Sequence, residues 1–327
     1  MARIVCIVFV LVGVFAPVFA AETPIVLRHE GEWAVPQWSG ERRAPDGQTW
    51  REFWLDPERD QDDSVVVMPF CSWDPATIDH DAILRTAGSV GRDGHWFGVD
   101  RYGRDIASRL VHATRTAVVI GGLTAFFAFL IGLAMGYAAA FGPGILRAIV
   151  DRLTIVTMAF PVVIAAVAVA AVWSGGTLGT VLLLTAFFWP PIARNARAEL
   201  RRQRQLPRIE TARSLGYSSW RILRHHAGPE LWRPLLTLTV FVCIDSIFVE
   251  SALSFLGVGL GSDSISYGGI LRDGRLAALN GAGTEQWLPA AVSISAFVLA
   301  LHGVAGGRRS DFVQPRSNNR NSASSVA

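Results

Sequence analysis

Six apolar stretches, each of about twenty residues, are the feature that most limits what this chain can fold into. They occupy approximately residues 4–20, 116–141, 155–173, 176–193, 235–260 and 287–306. A helix needs roughly 20 mostly apolar residues to cross the ~30 Å hydrocarbon core of a bilayer. Only 17% of the 327 residues are charged, compared with about a quarter in soluble domains. The sequence therefore predicts an all-α, multi-pass membrane protein with about six transmembrane helices packed as a bundle.

The charges of the chain are divided between two segments of opposite sign. Residues 21–111 contain ten Arg against seventeen Asp or Glu, a net charge of −7, and residues 194–233 contain ten Arg against three Glu, a net charge of +7. Arg-rich connections stay on the cytoplasmic side of the membrane. We therefore expect 194–233 to lie inside and 21–111 outside, with 112–306 as the transmembrane domain. The polar tail 307–327 is expected to be cytoplasmic and disordered.

The outer segment begins with an insert, residues 21–95, that is rich in Trp, Pro and Asp and shows no sustained helical period. A connection of this length usually has a structure or a function of its own. We expect a small external subdomain with short β elements, such as Ser64–Met68.

Several kinds of catalytic and cofactor site are excluded by the residues present. The sequence contains no lysine, so it cannot form a P-loop, whose Lys contacts the β- and γ-phosphates of a nucleotide. The three Cys and seven His show no disulfide or metal-ligand spacing. The apolar spans also lack the convergent nucleophile and base, or H-E-x-x-H motif, of an intramembrane hydrolase. We predict no enzyme activity, no cofactor and no metal site, so any ATP hydrolysis must belong to another polypeptide.

The basic connection has the pattern of two short helices lying at the membrane surface. Residues 210–215 suit a helix, and Gly216 can supply the left-handed residue that ends it. Ser218 or Ser219 can begin a second helix, which Pro229 would end. From charge alone, this segment could equally be a plain cytoplasmic loop that obeys the positive-inside rule.

The spacing of Glu210, Thr211, Ala212, Gly216, His226 and Pro229 resembles the "EAA" loop of ABC-importer permeases. Thr211 replaces an Ala of that pattern, and Gly228 replaces a Leu. The resemblance implies that this helix pair docks into a cleft of an ATPase subunit.

A second motif, HWFGVDRYGRDIASRLVHATR at residues 95–115, resembles the segment that precedes a membrane span in dipeptide/oligopeptide permeases. The candidate site residues here are Gly98, Asp100, Gly103, Arg104, Asp105 and Arg109. The departures from the pattern are Val99 and Ala113. Since Asp and Arg at i, i+4 spacing can form a salt-bridged amphipathic helix, we favour a structural role over direct ligand binding.

A third match comprises VESALSFLGVGL, residues 249–260, and YGGILRDGR, residues 267–275. Glu250 lies in an apolar span, where a carboxylate is costly and usually faces a polar cavity or a partner. It is a candidate for the transport pathway or a gate, and pairing with a partner subunit is the alternative. Asp245 lies in the same span, but it is not part of the family pattern and has less weight.

The resemblance covers residues 95–316 and implies a bacterial inner-membrane permease. Its expected partners are a second homologous permease, two ABC ATPase subunits, an external solute-binding protein and membrane lipid, with no nucleic acid. Residues 24–36 and 65–78 resemble the external insert of the oligopeptide/microcin C branch, which favours peptides over nickel as cargo. A nickel importer is the alternative. A secondary transporter is less favoured, because no internal repeat is visible.

The first apolar stretch has two interpretations. Arg3, the apolar core and the small residues near Ala20 also suit a cleaved signal peptide, which would leave five spans. We favour a retained transmembrane helix over 1–20, mainly because of the family resemblance.

Overall fold

The computed structural model describes residues 1–29, 32–39, 50, 65–79, 94–173, 175–217, 228–261, 264–279 and 286–307. Within these ranges the helices are α1 Ala2–Val14, α2 Ala16–Phe19, α3 Pro36–Ser39, α4 Ile106–Phe141, α5 Gly144–Ala159, α6 Val162–Val172, α7 Gly176–Arg204, α8 Pro207–Ser214, α9 Gly228–Leu256, α10 Tyr267–Leu279 and α11 Leu288–Gly307. The strands are β1 Val26–His29, β2 Glu32–Ala34 and β3 Val65–Val67. Residues 308–327, which make up all but the first residue of the predicted tail, lie outside the described residues.

Among the described residues, four helices are long and apolar enough to cross a membrane, namely α4, α7, α9 and α11. They match four of the predicted stretches, so the multi-pass helical fold is confirmed. The stretch 155–173, which was predicted as a span, is not one straight helix, because α5 and α6 meet there at an angle of 87°. Pro161 has no N–H to continue the helical hydrogen bonds and its ring crowds the preceding turn, which accounts for the break. If this bent pair counts as one crossing, the bundle has five.

Helix α4 is the centre of the bundle and packs along α7 and α9. Two glycines permit the close approach of α4 to α7. A Cβ added at Gly132 would lie 2.7 Å from Ile192 Cβ, and one added at Gly136 would lie 2.6 Å from Ala196 Cβ. Small residues at such positions let membrane helices come into backbone contact.

The N-terminal helix α1 packs against α4 and α11. Phe9 stacks on Phe297 with ring centroids 4.8 Å apart. At 13 residues, α1 is about 20 Å long, shorter than the hydrocarbon core. Whether the segment is retained in the mature protein stays a prediction.

A three-stranded antiparallel sheet follows α1 and α2, in the order β2-β1-β3. Leu27 pairs with Ala34 on one side and Val66 on the other. Strand β3 falls inside the 64–68 stretch that the sequence marked as β. The His112 ring contacts the Ala20 carbonyl oxygen at 2.9 Å, which ties this N-terminal region to the start of α4.

Candidate functional site

The loop before α4 is organised around Asp100. Its carboxylate accepts hydrogen bonds from the backbone N–H of Tyr102 at 2.9 Å and of Arg104 at 3.0 Å. Gly98 and Gly103 both have φ of +79°, a conformation that a side chain would strain. The predicted motif residues therefore form one tight loop, and the two glycines are required by its backbone.

Two arginines and two aspartates form an ion-pair cluster at this loop. Arg104 Nη2 lies 2.7 Å from Asp100 Oδ2 and 2.9 Å from Asp273 Oδ2, and Arg109 Nη2 lies 3.1 Å from the same Asp273 oxygen. Arg109 also contacts Asp100 directly. Asp100, Arg109 and Asp273 are each at most 6% exposed. Arg272 Nε lies 3.6 Å from Asp273 Oδ1 at the exposed edge of this cluster. The cluster fastens the loop and the first turn of α4 to α10.

Sequence reasoning missed Asp273, which sits at a variable position of the third motif. One signal could have found it. Asp105 caps α4, so of the carboxylates in the motif only Asp100 is left to pair with both Arg104 and Arg109. Two buried arginines need a second carboxylate, which must then come from another element.

Asp105 caps the N-terminus of α4 and also contacts His95. Its carboxylate accepts a hydrogen bond from the Ser108 N–H at 2.6 Å and lies 2.8 Å from His95 Nδ1. The other ring nitrogen of His95 lies 3.3 Å from Asp79, and the ring stacks on Trp73. Burial acts to lower the pKa of His95, but the hydrogen bonds and charges of the two carboxylates outweigh it and raise the pKa overall. The ring lies between two carboxylates, and both of them favour its protonated form.

Helix α8 occupies the first half of the predicted surface helix pair. The predicted helix over 210–215 corresponds to α8, Pro207–Ser214, and Gly216 has φ of +80°, as its predicted left-handed role requires. Glu210 and Thr211 are exposed, whereas Ile209 is 3% exposed and packs with Leu206. Ala212 belongs to α8, and Leu215 beyond it is 68% exposed.

The second predicted helix of the pair, including His226, lies outside the described residues. Pro229 lies in the first turn of α9, where a missing N–H costs no helical hydrogen bond.

A basic pocket of about 740 Å³ lies beside α8. Its charged lining comes from the start of α5, the end of α7 and α8, namely Arg147, Arg201, Arg204 and Glu210. These residues meet at the opposite end of α4 from the Asp100 loop, since Ala140, near the last turn of α4, also lines the pocket.

Glu250 is enclosed by the protein, with 1% of its surface exposed. Ser254 Oγ donates to its carboxylate at 2.8 Å and Ser251 Oγ at 3.3 Å, and the Ser266 side chain also hydrogen-bonds to it. The carboxyl therefore does not reach open solvent in this conformation. Its predicted pathway role stays a prediction.

Asp245 lies on the same helix but is exposed. It lines a pocket of about 300 Å³ together with residues that flank the break between α5 and α6.

Comparison with known proteins gives a consistent family. Residues 128–310 match the model of the binding-protein-dependent transport system inner membrane component. The chain is 33% identical over 181 residues to the glutathione transport system permease protein of Pectobacterium atrosepticum, covering 55% of this chain and 60% of that protein. It is 31% identical over 225 residues to a putative peptide transport system permease protein of Brucella suis, covering 68% of this chain and 74% of that protein.

A solved structure has a similar fold. A chain of the MetNI methionine ABC transporter, in an inward facing conformation, superposes with a TM-score of 0.51 at 20% identity. The match covers 63% of this chain and 97% of that chain.

The family match covers more than half of the chain and includes α7, α9 and α11, three of the four helices able to cross a membrane. The predicted resemblance to importer permeases is thereby confirmed at the level of the family, and the relatives are transport permeases. The chain is a multi-pass protein of the bacterial inner membrane, and it belongs to the family of binding-protein-dependent transport system inner membrane components.

Proposed function

We propose that this chain is one permease subunit of an ATP-driven ABC importer and forms half of a pathway for peptides. A second homologous permease would form the other half, and an external solute-binding protein would deliver the cargo. The family description supports dependence on a binding protein. The relatives are named for peptides and for glutathione, which is itself a tripeptide, and this favours peptides over nickel.

Helix α8 is the observation that carries the proposal. It presents exposed Glu210 and Thr211 on a short helix that ends at a left-handed glycine, and buried Ile209 holds it in place. A soluble partner can reach such a surface, and the arginine-lined pocket beside it suits acidic groups on that partner. Because this chain has no lysine for a P-loop, two separate ATPase subunits would supply the hydrolysis.

The coupling would run from α8 into α7. Only residues 205 and 206 separate the two helices, so a push on α8 moves the end of α7 directly. Helix α7 has 29 residues and packs along α4 through the Gly132 and Gly136 contacts. Closure of the ATPases on ATP would therefore be transmitted into the core of the bundle.

The two ends of the bundle support one orientation. The Arg147, Arg201 and Arg204 pocket gathers at the end where α7 finishes, and the positive-inside rule assigns that end to the cytoplasm. The Asp100 cluster and the β-sheet would then lie outside, within the acidic 21–111 segment.

The cargo is tested in a strain that lacks this gene. We expect the restored gene to return uptake of a labelled tripeptide and to leave nickel uptake unchanged. Restoration of nickel uptake alone would contradict the peptide assignment.

The coupling is tested with Glu210→Lys and Gly216→Pro. Both variants should abolish uptake while the protein still inserts in the membrane at wild-type amounts. Thr237→Val serves as the control, because Thr237 is a half-buried residue of α9 whose hydroxyl hydrogen-bonds within its own helix. Normal uptake by both α8 variants would refute the coupling role.

A further inference from the structure

The 300 Å³ pocket at the break between α5 and α6 contains a carboxylate that the proposed coupling does not use. Asp245 lies two residues from the centre of the candidate span Glu230–Leu256, so it is near the midplane of the membrane. A charged side chain at that depth is costly and faces a polar cavity or a charged partner. Among the described residues, no hydrogen bond or ion pair to Asp245 is present, and it is exposed on the surface of this chain.

The pocket walls add further hydrogen-bond acceptors. Helix α5 ends at Ala159, and Pro161 has no N–H to bond the free carbonyls of its last turn. Pro191 likewise lacks the N–H that would bond the carbonyl of Phe187. Pro191 and Phe187 both line the pocket. The described lining side chains carry no positive charge.

The helix termini do not reverse this electrostatic preference. The end of α5 and the start of α6 meet at the pocket, and their partial charges of about −0.5 and +0.5 roughly cancel. The full charge of ionised Asp245 therefore decides the sign of the site, which favours a cation.

The remaining lining is mostly aromatic and apolar and includes Phe160, Phe187, Phe188 and Phe241. Aromatic faces attract ammonium groups and also tolerate apolar side chains. The volume is at the lower end of the range for small-molecule sites, so it suits one amino-acid residue rather than a whole peptide.

We propose that this pocket binds the protonated α-amino group of a peptide, together with its first side chain, as the cargo crosses the membrane. This inference rests on the proposed peptide import. An α-amino group has a pKa near 7.7–8.0 and is mostly protonated at neutral pH. Because every unmodified peptide carries one whatever its sequence, such a site would suit a carrier whose selection of cargo occurs in the binding protein.

The test is uptake of labelled trialanine by cells that express the complete transporter with Asp245→Asn, Asp245→Glu or Asp151→Asn. Asp245→Asn removes the charge but keeps the size, and it should lower the uptake rate about tenfold, as the loss of one charge-assisted contact would. Asp245→Glu keeps the charge and should retain uptake within about threefold. Asp151→Asn removes a carboxylate on α5 that pairs with Arg197 away from the pocket, and it should change uptake by less than about twofold.

The outcomes separate this inference from the proposed function. If the wild-type chain imports no peptide, the proposed function fails and this inference fails with it. If the wild-type chain imports trialanine and Asp245→Asn imports it equally well, only the amine site is refuted. Co-purification of the other subunits is measured in parallel. Loss of those subunits from the Asp245→Asn complex would also refute the amine site and would assign Asp245 to pairing with a partner chain.

Discussion

Asp273 provides the sharpest test of the ion-pair cluster that holds the loop before α4. Its Oδ2 atom lies 2.9 Å from Arg104 Nη2 and 3.1 Å from Arg109 Nη2, and the residue is 6% exposed. Asp273→Asn keeps the shape of the side chain and removes its charge. Arg104 and Arg109 would then share Asp100 alone, and the net charge of the cluster would become more positive by one unit.

The expected loss of stability is about 3 kcal/mol. Removing one partner of a buried ion pair costs about 3–5 kcal/mol, because the other charge stays buried without compensation. The Arg104 side chain is 25% exposed, so water can hydrate part of the excess charge, and the lower end of that range applies. The matched control is Glu199→Gln, which breaks a 2.6 Å contact with Arg202. The Arg202 side chain is 59% exposed, so the cost should be below about 1 kcal/mol.

Thermal unfolding of the purified proteins in one detergent, at one protein concentration, measures the difference. Asp273→Asn should lower Tm clearly more than Glu199→Gln does. The double variant Asp273→Asn/Arg109→Gln should lose less than the sum of the two single variants, because the second change removes the uncompensated charge. Equal Tm shifts for Asp273→Asn and Glu199→Gln, or strictly additive losses in the double variant, would refute the reasoning.

Three further predictions concern His95, the α4–α7 contact and Cys71. His95→Gln should cost more stability at pH 6 than at pH 9, which thermal unfolding at both pH values checks. The folded-state pKa of His95 is raised, so the contribution of His95 to stability is complete below its ordinary pKa near 6.5. That contribution is lost as the pH rises through the folded-state pKa. Gly136→Ala should lower Tm, because its Cβ would lie 2.6 Å from that of Ala196, whereas Gly122→Ala on the same helix meets nothing within 4 Å and should be neutral or stabilising. Burial and the Asp105 carboxylate raise the pKa of the Cys71 thiol to about 12, so site-resolved mass spectrometry should show far slower maleimide labelling of Cys71 at pH 7 in the folded than in the unfolded chain.

The long helices were predictable from the sequence because a bilayer imposes a minimum apolar length on any segment that crosses it. Their ends were less predictable. Helix α4 begins at Ile106, ten residues before the apolar stretch, because Asp105 caps it and polar residues of the motif form its first turns. The break at Pro161 was missed, since hydropathy is the same for a straight and a bent helix, and prolines are tolerated inside membrane helices.

The local parts of the candidate sites were predictable, and the long-range parts were not. The left-handed conformation of Gly216 was predicted correctly, because the residue that ends a helix is set by its own backbone and its immediate neighbours. Asp273 pairs with Arg109 and Arg104, which precede it in the chain by 164 and 169 positions. No spacing rule connects positions so far apart. The enclosure of Glu250 by Ser251, Ser254 and Ser266 likewise depends partly on how the segment after α9 folds back.

The positions of rigid contacts and helix breaks indicate where this bundle can move. The start of α4 is fixed to α10 by the Asp100–Asp273 cluster, and its later turns are in close contact with α7 at Gly132 and Gly136. Under the proposed coupling, a push from α8 would move the end of α7. Helix α7 would not slide gradually along α4 at those contacts, because closely packed interiors change between discrete arrangements and do not deform continuously. The 87° break between α5 and α6 and the Pro190–Pro191 pair of α7 are two places where backbone hydrogen bonds are missing. Both flank the Asp245 pocket, so movement that begins at α8 would change the shape of that pocket before it disturbs the Asp100–Asp273 cluster.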